Sequence, residues 1–429
     1  MTGADDRARL RAWRARVFAA TWLSYAGYYF CRKPFSIVKS DLGKALHFDS
    51  EQLAWIWSAY LLAYAAGQFV SGALGPRLGA RTMLLGGMAL TIACSTAFGF
   101  TDQLTWFIVL MIINGFAQAT GWSNNVGCMA SWFHRGERGT VMGIWATCFQ
   151  AGNVVAPAFA AWVLARHGFR HSFFAGALAL LAIWIFFAIN QRNRPADVGL
   201  PPVRDPDEKE APPVEVAAAG PPAPARIAWP AGVWITIFLI GGAYFGMKFI
   251  RYALDSWAPF LLSRNFGLKS DDAGYVSTLF GIAGIAGVVI TGWVSDRFFG
   301  GRRALVSFLM ILGVLASTLA LFTVGATTVT AFAVSQAAIG FTLYGPDALM
   351  TGAGAMDIGK GDGAIRAAGI ISGIGSLGSV FQELVIGRMY KTSGGQLGPI
   401  LFTLFGSAVL TAICLGAIVW RNRRGASDV

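Results

Sequence analysis

The chain has 429 residues, of which 55% are hydrophobic and only 13% are charged, and its mean hydropathy is +0.55. Soluble domains carry about 25% charged residues, so this composition excludes an ordinary soluble protein. The net charge of +12 is attributed to membrane topology rather than to nucleic-acid binding. The five cysteines all fall in apolar segments without metal-ligand spacing, which indicates packing roles. We expect no enzymatic activity, no metal and no cofactor.

Apolar segments long enough to cross about 30 Å of hydrocarbon as a helix recur along the whole chain. The sequence therefore predicts an all-α polytopic membrane protein with twelve transmembrane helices. The first six predicted spans are 16–38, 52–74, 81–100, 105–129, 140–165 and 170–190, and the second six are 229–261, 272–295, 303–324, 328–352, 364–390 and 397–420. The polar, proline-rich segment 191–228 predicts a flexible cytoplasmic linker between two six-helix bundles, 1–190 and 229–429.

The placement of positive charge predicts the orientation in the membrane. Most of the 34 lysines and arginines lie in segments that share a side with both termini, which predicts cytoplasmic termini. Four cations lie inside predicted spans instead: Arg32, Lys33, Lys248 and Arg251. A charge at that depth costs at least about 2.5–3.5 kcal/mol, so we expect these side chains to face a cavity or a partner.

Two of these cations end similar polar stripes. Tyr25, Tyr29 and Arg32 follow the spacing i, i+4, i+7 and share one helical face, and the second half repeats this spacing with a tyrosine, Lys248 and Arg251. A guanidinium presents a fixed fork of donors that matches phosphate or carboxylate oxygens. Two such groups, one from each half, suit a divalent tetrahedral anion bound at the interface of the repeats.

Two loops at equivalent places in the halves resemble one another. They read G-A-L-G-P-R-L-G-A-R (72–81) and G-W-V-S-D-R-F-F-G-G-R-R (292–303). Both resemble the G-x-x-x-D-R-x-G-R-R loop of the major facilitator superfamily of transporters. Asp296 keeps the acidic residue of that loop, whereas Pro76 replaces it in the first copy.

Five further motifs occur in a characteristic order. They are Y-Y-F-C-R-K-P-F-S (28–36), N-G-F-A-Q-A-T-G-W (114–122), S-W-F-H-R-G-E-R-G (131–139), R-N-R-P-A-D-V-G-L-P (192–201) and R-Y-A-L-D-S-W-A-P (251–259). Together they resemble the organophosphate:phosphate antiporter family, which includes glycerol-3-phosphate, hexose-6-phosphate and phosphoglycerate transporters and the glucose-6-phosphate translocase of the endoplasmic reticulum. The resemblance implies a facilitator fold, exchange of inorganic phosphate for an organic phosphate, and phosphate-gripping arginines at Arg32 and Arg251.

Other polar and aromatic residues complete the predicted site. Gln118 and Trp122 belong to a stripe on the fourth span that either lines a cavity or hydrogen-bonds another helix. By resemblance, Tyr344 matches a pocket tyrosine of the family, although a packing role is equally consistent. The residues predicted to bind substrate are Arg32, Arg251, Tyr25, Tyr29, Lys248, Gln118, Tyr64, Trp122 and Tyr344.

Three carboxylates are candidates for charge pairing or coupling. Asp255 follows Arg251 at i+4, which predicts an ion pair that can exchange for ligand. Asp347 and Glu383 lie within spans, where each could pair with a cation, carry a proton or contact a substrate hydroxyl. By resemblance, Gln68 and Phe149 stand where glycerol-phosphate transporters have a lysine and a histidine, which does not favour glycerol 3-phosphate as the substrate.

The sequence favours a secondary transporter that works by alternating access, functions as a monomer and resides in a bacterial inner membrane, with the endoplasmic reticulum as the less favoured location. Its expected partners are a small phosphorylated anion, inorganic phosphate and the lipid bilayer, and no nucleic acid. One alternative is a proton-coupled symporter of an organic anion, with Asp347 or Glu383 as the proton carrier. A second alternative is a membrane receptor that senses a sugar phosphate without net transport.

Overall fold

The computed structural model describes residues 3–203, 229–268, 270–359, 363–393 and 396–425, and in these ranges the chain is built of helices and short connections. The helices that precede the middle of the chain are α1 Gly3–Arg32, α2 Pro34–Leu46, α3 Ser50–Leu78, α4 Ala80–Phe98, α5 Leu104–Trp132, α6 Arg135–Trp145, α7 Thr147–His167 and α8 Phe169–Asn190. Those that follow it are α9 Ala231–Phe266, α10 Ser270–Phe298, α11 Arg303–Ala320, α12 Val329–Ala348, α13 Ala355–Gly359, α14 Gly363–Thr392 and α15 Leu397–Arg423.

Ten helical segments within the described ranges are long and apolar enough to cross a membrane. One of them, Arg135–His167, combines α6 and α7. The other two predicted spans, 16–38 and 328–352, fall on α1 with α2 and on α12, which are more polar than the ten. The all-helical prediction is confirmed, while the number of twelve spans stays a prediction.

The first predicted span changes helix at the sequence R-K-P. Pro34 has no backbone N–H, so α1 ends at Arg32 and α2 begins at Pro34. Gly176 of α8 packs against the carbonyl of Phe30, where a Cβ would come within 2.1 Å of the oxygen. This packing holds the end of α1, and with it Arg32, against α8.

Helices from the two parts of the chain meet at two seams. Helix α14 packs along α3 and α5, and α10 packs along α6. At the second seam the backbones approach so closely that a Cβ on Gly292 would lie 2.4 Å from the carbonyl oxygen of Gly139. Small residues let helices in a bilayer approach in this way.

A network of arginines and carboxylates covers the end of the α6–α10 seam, on the face where α1 and α6 begin and α10 ends. We call this the terminal face. Arg138 Nη1 lies 2.9 Å from Asp357 Oδ1, and Arg303 Nε lies 3.4 Å from Asp357 Oδ2. Arg303 also pairs with Asp296, which in turn accepts a hydrogen bond from the backbone N–H of Thr140 at 2.5 Å. The acidic residue of the second repeated loop is therefore part of a contact between the two parts of the chain.

The segment 191–203 differs from the prediction of a flexible linker. It contains the 3-10 turn Pro195–Val198 and packs against the terminal face. Trp132 donates from Nε1 to the Arg192 carbonyl at 3.0 Å, and Arg9 donates to the Val198 carbonyl at 3.1 Å. Backbone carbonyls thus let a polar, proline-rich stretch dock on neighbouring side chains. The rest of the predicted linker, 204–228, lies outside the described residues.

Candidate functional site

A polar cavity of about 350 Å³ lies between α1, α3, α7, α9 and α14, towards the face opposite the terminal face. Its lining includes both arginines that the sequence singled out. The lining residues are Tyr29, Arg32, Lys33, Ser36, Trp57, Tyr60, Leu61, Tyr64, Asn153, Arg251, Tyr252, Asp255, Ser256, Ser379, Gln382 and Glu383. One continuous cavity therefore collects cationic, phenolic and carboxylate groups from both parts of the chain.

Arg32 is held by neutral groups. Its Nε donates to Gln118 Oε1 at 2.9 Å, and the Tyr60 hydroxyl donates to the same oxygen at 3.0 Å. Its guanidinium carbon lies 4.8 Å from the ring centroid of Tyr29 and 5.0 Å from that of Tyr64. Within the described part of the chain, no carboxylate lies within 4.0 Å of this guanidinium. Arg32 thus keeps its positive charge uncompensated by any close acid, and it is available to an anion.

Arg251 is held by a buried acid. Its Nη1 lies 2.9 Å from Asp347 Oδ2, and both side chains are less than a tenth exposed. The partner expected from spacing, Asp255, lies at 4.0 Å and is 38% exposed. Phe149 and Tyr344 flank the guanidinium at 4.5 and 5.1 Å from their ring centroids. The closer ion pair is therefore with the carboxylate of α12, while Asp255 remains open to the cavity.

The predicted site residues divide into those that line the cavity and those that lie behind the lining. Tyr29, Arg32, Tyr64, Arg251, Asp255 and Glu383 line it. Tyr25, Gln118, Trp122, Lys248, Tyr344 and Asp347 are buried behind it. Gln118 and Asp347 still act on the site, because each contacts one of the two arginines.

Tyr25 and Trp122 belong to an aromatic cluster and not to the cavity wall. The Tyr25 ring centroid lies 5.4 Å from that of Trp122 and 5.6 Å from that of Trp145. Trp122 donates from Nε1 to the Thr351 carbonyl at 3.2 Å, across the two parts of the chain. The expectation that both rings face substrate does not fit this arrangement, because packing against α7 and α12 occupies their faces and edges.

Lys248 is buried next to α14. Its Nζ donates to Ser376 Oγ at 2.9 Å and lies 4.8 Å from the ring centroid of Tyr244. Glu383, by contrast, lines the cavity and accepts hydrogen bonds from Gln382 Nε2 at 2.8 Å and Trp257 Nε1 at 3.2 Å.

Several lining residues were not identified from the sequence. Tyr60 precedes Tyr64 by one helical turn, so the i, i+4 spacing of α3 would have indicated it. Tyr252 directly follows Arg251, yet it reaches the same cavity. Trp57, Asn153 and Gln382 carry no such signal, because only the packing of α3, α7 and α14 around the cavity brings them together.

Comparison with known proteins places the chain in a family. Residues 17–261, more than half of the chain, match the model of the Major Facilitator Superfamily. The chain belongs to this superfamily. Together with its ten apolar helices, this makes it an integral membrane protein.

Two curated relatives agree with the narrower resemblance. The chain is 28% identical to the glycerol-3-phosphate transporter of Bacillus subtilis, over 97% of this chain and 94% of that protein. It is 28% identical to the glucose-6-phosphate exchanger SLC37A2 of Mus musculus, over 95% of this chain and 92% of that protein. These relatives confirm the predicted membership of the organophosphate:phosphate antiporter family.

The fold also resembles solved transporter structures. The proton:xylose symporter XylE matches with a TM-score of 0.73 and 15% identity, over 95% of this chain and 96% of that one. At this identity the likeness concerns the fold alone.

Proposed function

We propose that the protein exchanges an organic phosphate for inorganic phosphate across the membrane by alternating access, with Arg32 and Arg251 gripping the phosphate. The observation that carries the proposal is that these two guanidinium groups, from opposite parts of the chain, open into the same cavity. A guanidinium fork matches phosphate oxygens in geometry as well as in charge. The organic phosphate is of the sugar phosphate, glycerol phosphate or phosphoglycerate type, in keeping with the names of the relatives.

The proposed architecture has twelve spans in two six-helix bundles, 1–190 and 229–429, with both termini in the cytoplasm. The contacts at the α3–α14 and α6–α10 seams support it, since two rocking bundles need surfaces that meet on one side of the site. In this arrangement the terminal face is cytoplasmic and is closed by the Asp357 network, while the cavity approaches the outer side. The protein acts as a monomer in a bacterial inner membrane.

Charge explains why exchange is obligatory in this proposal. Arg32 has no close acid, so the empty cavity holds a buried cation that is costly to carry through an occluded state. A bound phosphate supplies the missing negative charge and bridges the two bundles. The transporter therefore changes its orientation readily only when it carries an anion.

The test is phosphate self-exchange in proteoliposomes loaded with inorganic phosphate, with Arg32→Lys and Arg251→Lys variants. Lysine keeps the charge and loses the fork, so each variant loses charge-assisted hydrogen bonds worth about 1.5–3 kcal/mol, or roughly 10- to 150-fold in exchange. Arg170→Lys on α8, which pairs with Asp102 away from the cavity, is the matched control and keeps normal exchange.

Three results would contradict the proposal. Undiminished exchange by both cavity variants would remove the role of the two arginines. Uptake that collapses with an uncoupler and ignores internal phosphate would indicate a proton-coupled symporter instead. Binding of an organic phosphate without any exchange would indicate a receptor.

A further inference from the structure

Lys248 is a buried cation whose partners are all neutral. Its side chain lies on α9 with the residue only 5% exposed, and its contacts are the Ser376 hydroxyl and the Tyr244 ring. Ser376 donates its own proton to the Ser372 carbonyl at 2.8 Å, so its oxygen accepts from the ammonium group. Within the described residues, no carboxylate lies within 4.0 Å of Nζ. A buried ammonium without a counter-charge is costly, and its retention calls for a reason.

The position of Lys248 places it just beneath the proposed phosphate site. It precedes Arg251 by three residues, which is a rise of about 4.5 Å along the helix. Its partner Ser376 lies one turn from Ser379, which lines the cavity. Lys248 itself is behind the lining, and the charges of Arg32, Arg251 and Asp347 are all within electrostatic range of it.

The Arg251–Asp347 ion pair creates a conflict for the proposed function. A phosphate that grips Arg251 competes with Asp347 Oδ2, which already holds Nη1 at 2.9 Å. The Asp347 side chain is only 3% exposed, so a displaced carboxylate cannot turn to water. Left beside a phosphate, it would be both unpaired and repelled. It needs a second cation within reach, and Lys248 is a cation on the same helical face that holds no acid.

We infer that Lys248 receives the Asp347 carboxylate when phosphate takes Arg251, so that the acid moves from one cation to the other as the site fills. Lys248 is thus a positioning residue that acts on the ligand through Asp347. In the empty site Ser376 holds the ammonium group, and Asp347 neutralises Arg251. In the filled site phosphate neutralises Arg251 and Arg32, and Lys248 neutralises Asp347. This inference rests on the proposed function.

A double-mutant cycle on the full chain in lipid nanodiscs tests the inference. The variants are Lys248→Met, Asp347→Asn and the double variant, with inorganic phosphate as the titrated probe. Lys248→Met weakens phosphate binding by about tenfold or more, since displaced Asp347 loses its charged partner. Asp347→Asn binds phosphate more tightly than the wild type. In the Asp347→Asn background, adding Lys248→Met changes the affinity by less than about twofold, because no carboxylate remains to be received.

Further arms guard against ambiguous results. Lys248→Arg keeps a cation at the position and restores most of the affinity that Lys248→Met loses, which a purely structural role would not require. If Lys248→Met does not fold, Lys248→Gln takes its place in the cycle. An equal loss with and without Asp347 would show that Lys248 meets phosphate directly, and no loss in either background would show that it is structural; both overturn the inference. Failure of the wild type to bind and exchange phosphate would instead refute the proposed function.

Discussion

The carboxylate of Asp357 joins the two parts of the chain at the terminal face. Its side chain is only 1% exposed, with Arg138 Nη1 at 2.9 Å, Arg303 Nε at 3.4 Å and Arg135 Nε at 3.8 Å. Arg135 and Arg138 lie before the middle of the chain, whereas Asp357 and Arg303 lie after it. Replacing Asp357 by Asn removes the negative charge and keeps the size of the side chain. The arginines around it then lack that counter-charge in a buried place.

Removing one partner of a buried ion pair costs about 3–5 kcal/mol. Only the state with a closed terminal face contains this contact between the two parts of the chain. The ratio of closed to open molecules should therefore fall by about 10²- to 10³-fold in the Asp357→Asn variant. Alternating access then becomes biased towards the state in which the terminal face is open.

Pulsed electron spin resonance measures this shift directly. Spin labels at the exposed positions 77 and 302 report the separation of α3 from the start of α11. We expect longer distances in Asp357→Asn than in the wild type. Asp102→Asn, which removes an exposed acid paired with Arg170 elsewhere, is the control and leaves the distances unchanged. A folded Asp357→Asn protein with the wild-type distance distribution would refute the role of this carboxylate.

Two other changes test the site and the seam. Gln118→Ala removes the oxygen that orients Arg32, and loss of one such hydrogen bond, worth about 1 kcal/mol, should raise the KM for phosphate exchange about fivefold; an unchanged KM would mean that Arg32 is oriented without it. Gly292→Ala places a Cβ 2.4 Å from the Gly139 carbonyl oxygen, so closure of the α6–α10 seam and the exchange rate should both fall. Gly281→Ala on the same helix meets nothing within 4 Å and should exchange at nearly the wild-type rate, and equal rates in both glycine variants would contradict the steric argument.

The sequence by itself determined the class of protein and the two central residues. A bilayer imposes one requirement on every span, a long apolar helix, so composition alone revealed the all-helical membrane fold. A charge in such a span is costly enough to need a polar environment, which is why Arg32 and Arg251 could be identified without a structure. The repeated spacing around them placed each on a defined helical face.

Only the tertiary structure decided what those faces meet. Helical periodicity fixes the direction of a side chain about its own axis, and it gives neither the neighbouring helix nor the depth at which the two meet. Asp347 of α12, and not the nearby Asp255, therefore pairs closely with Arg251. For the same reason Trp122 points into an aromatic cluster while Tyr60 reaches Arg32 through Gln118. These contacts join residues far apart in the chain, and they depend on how closely the helices pack.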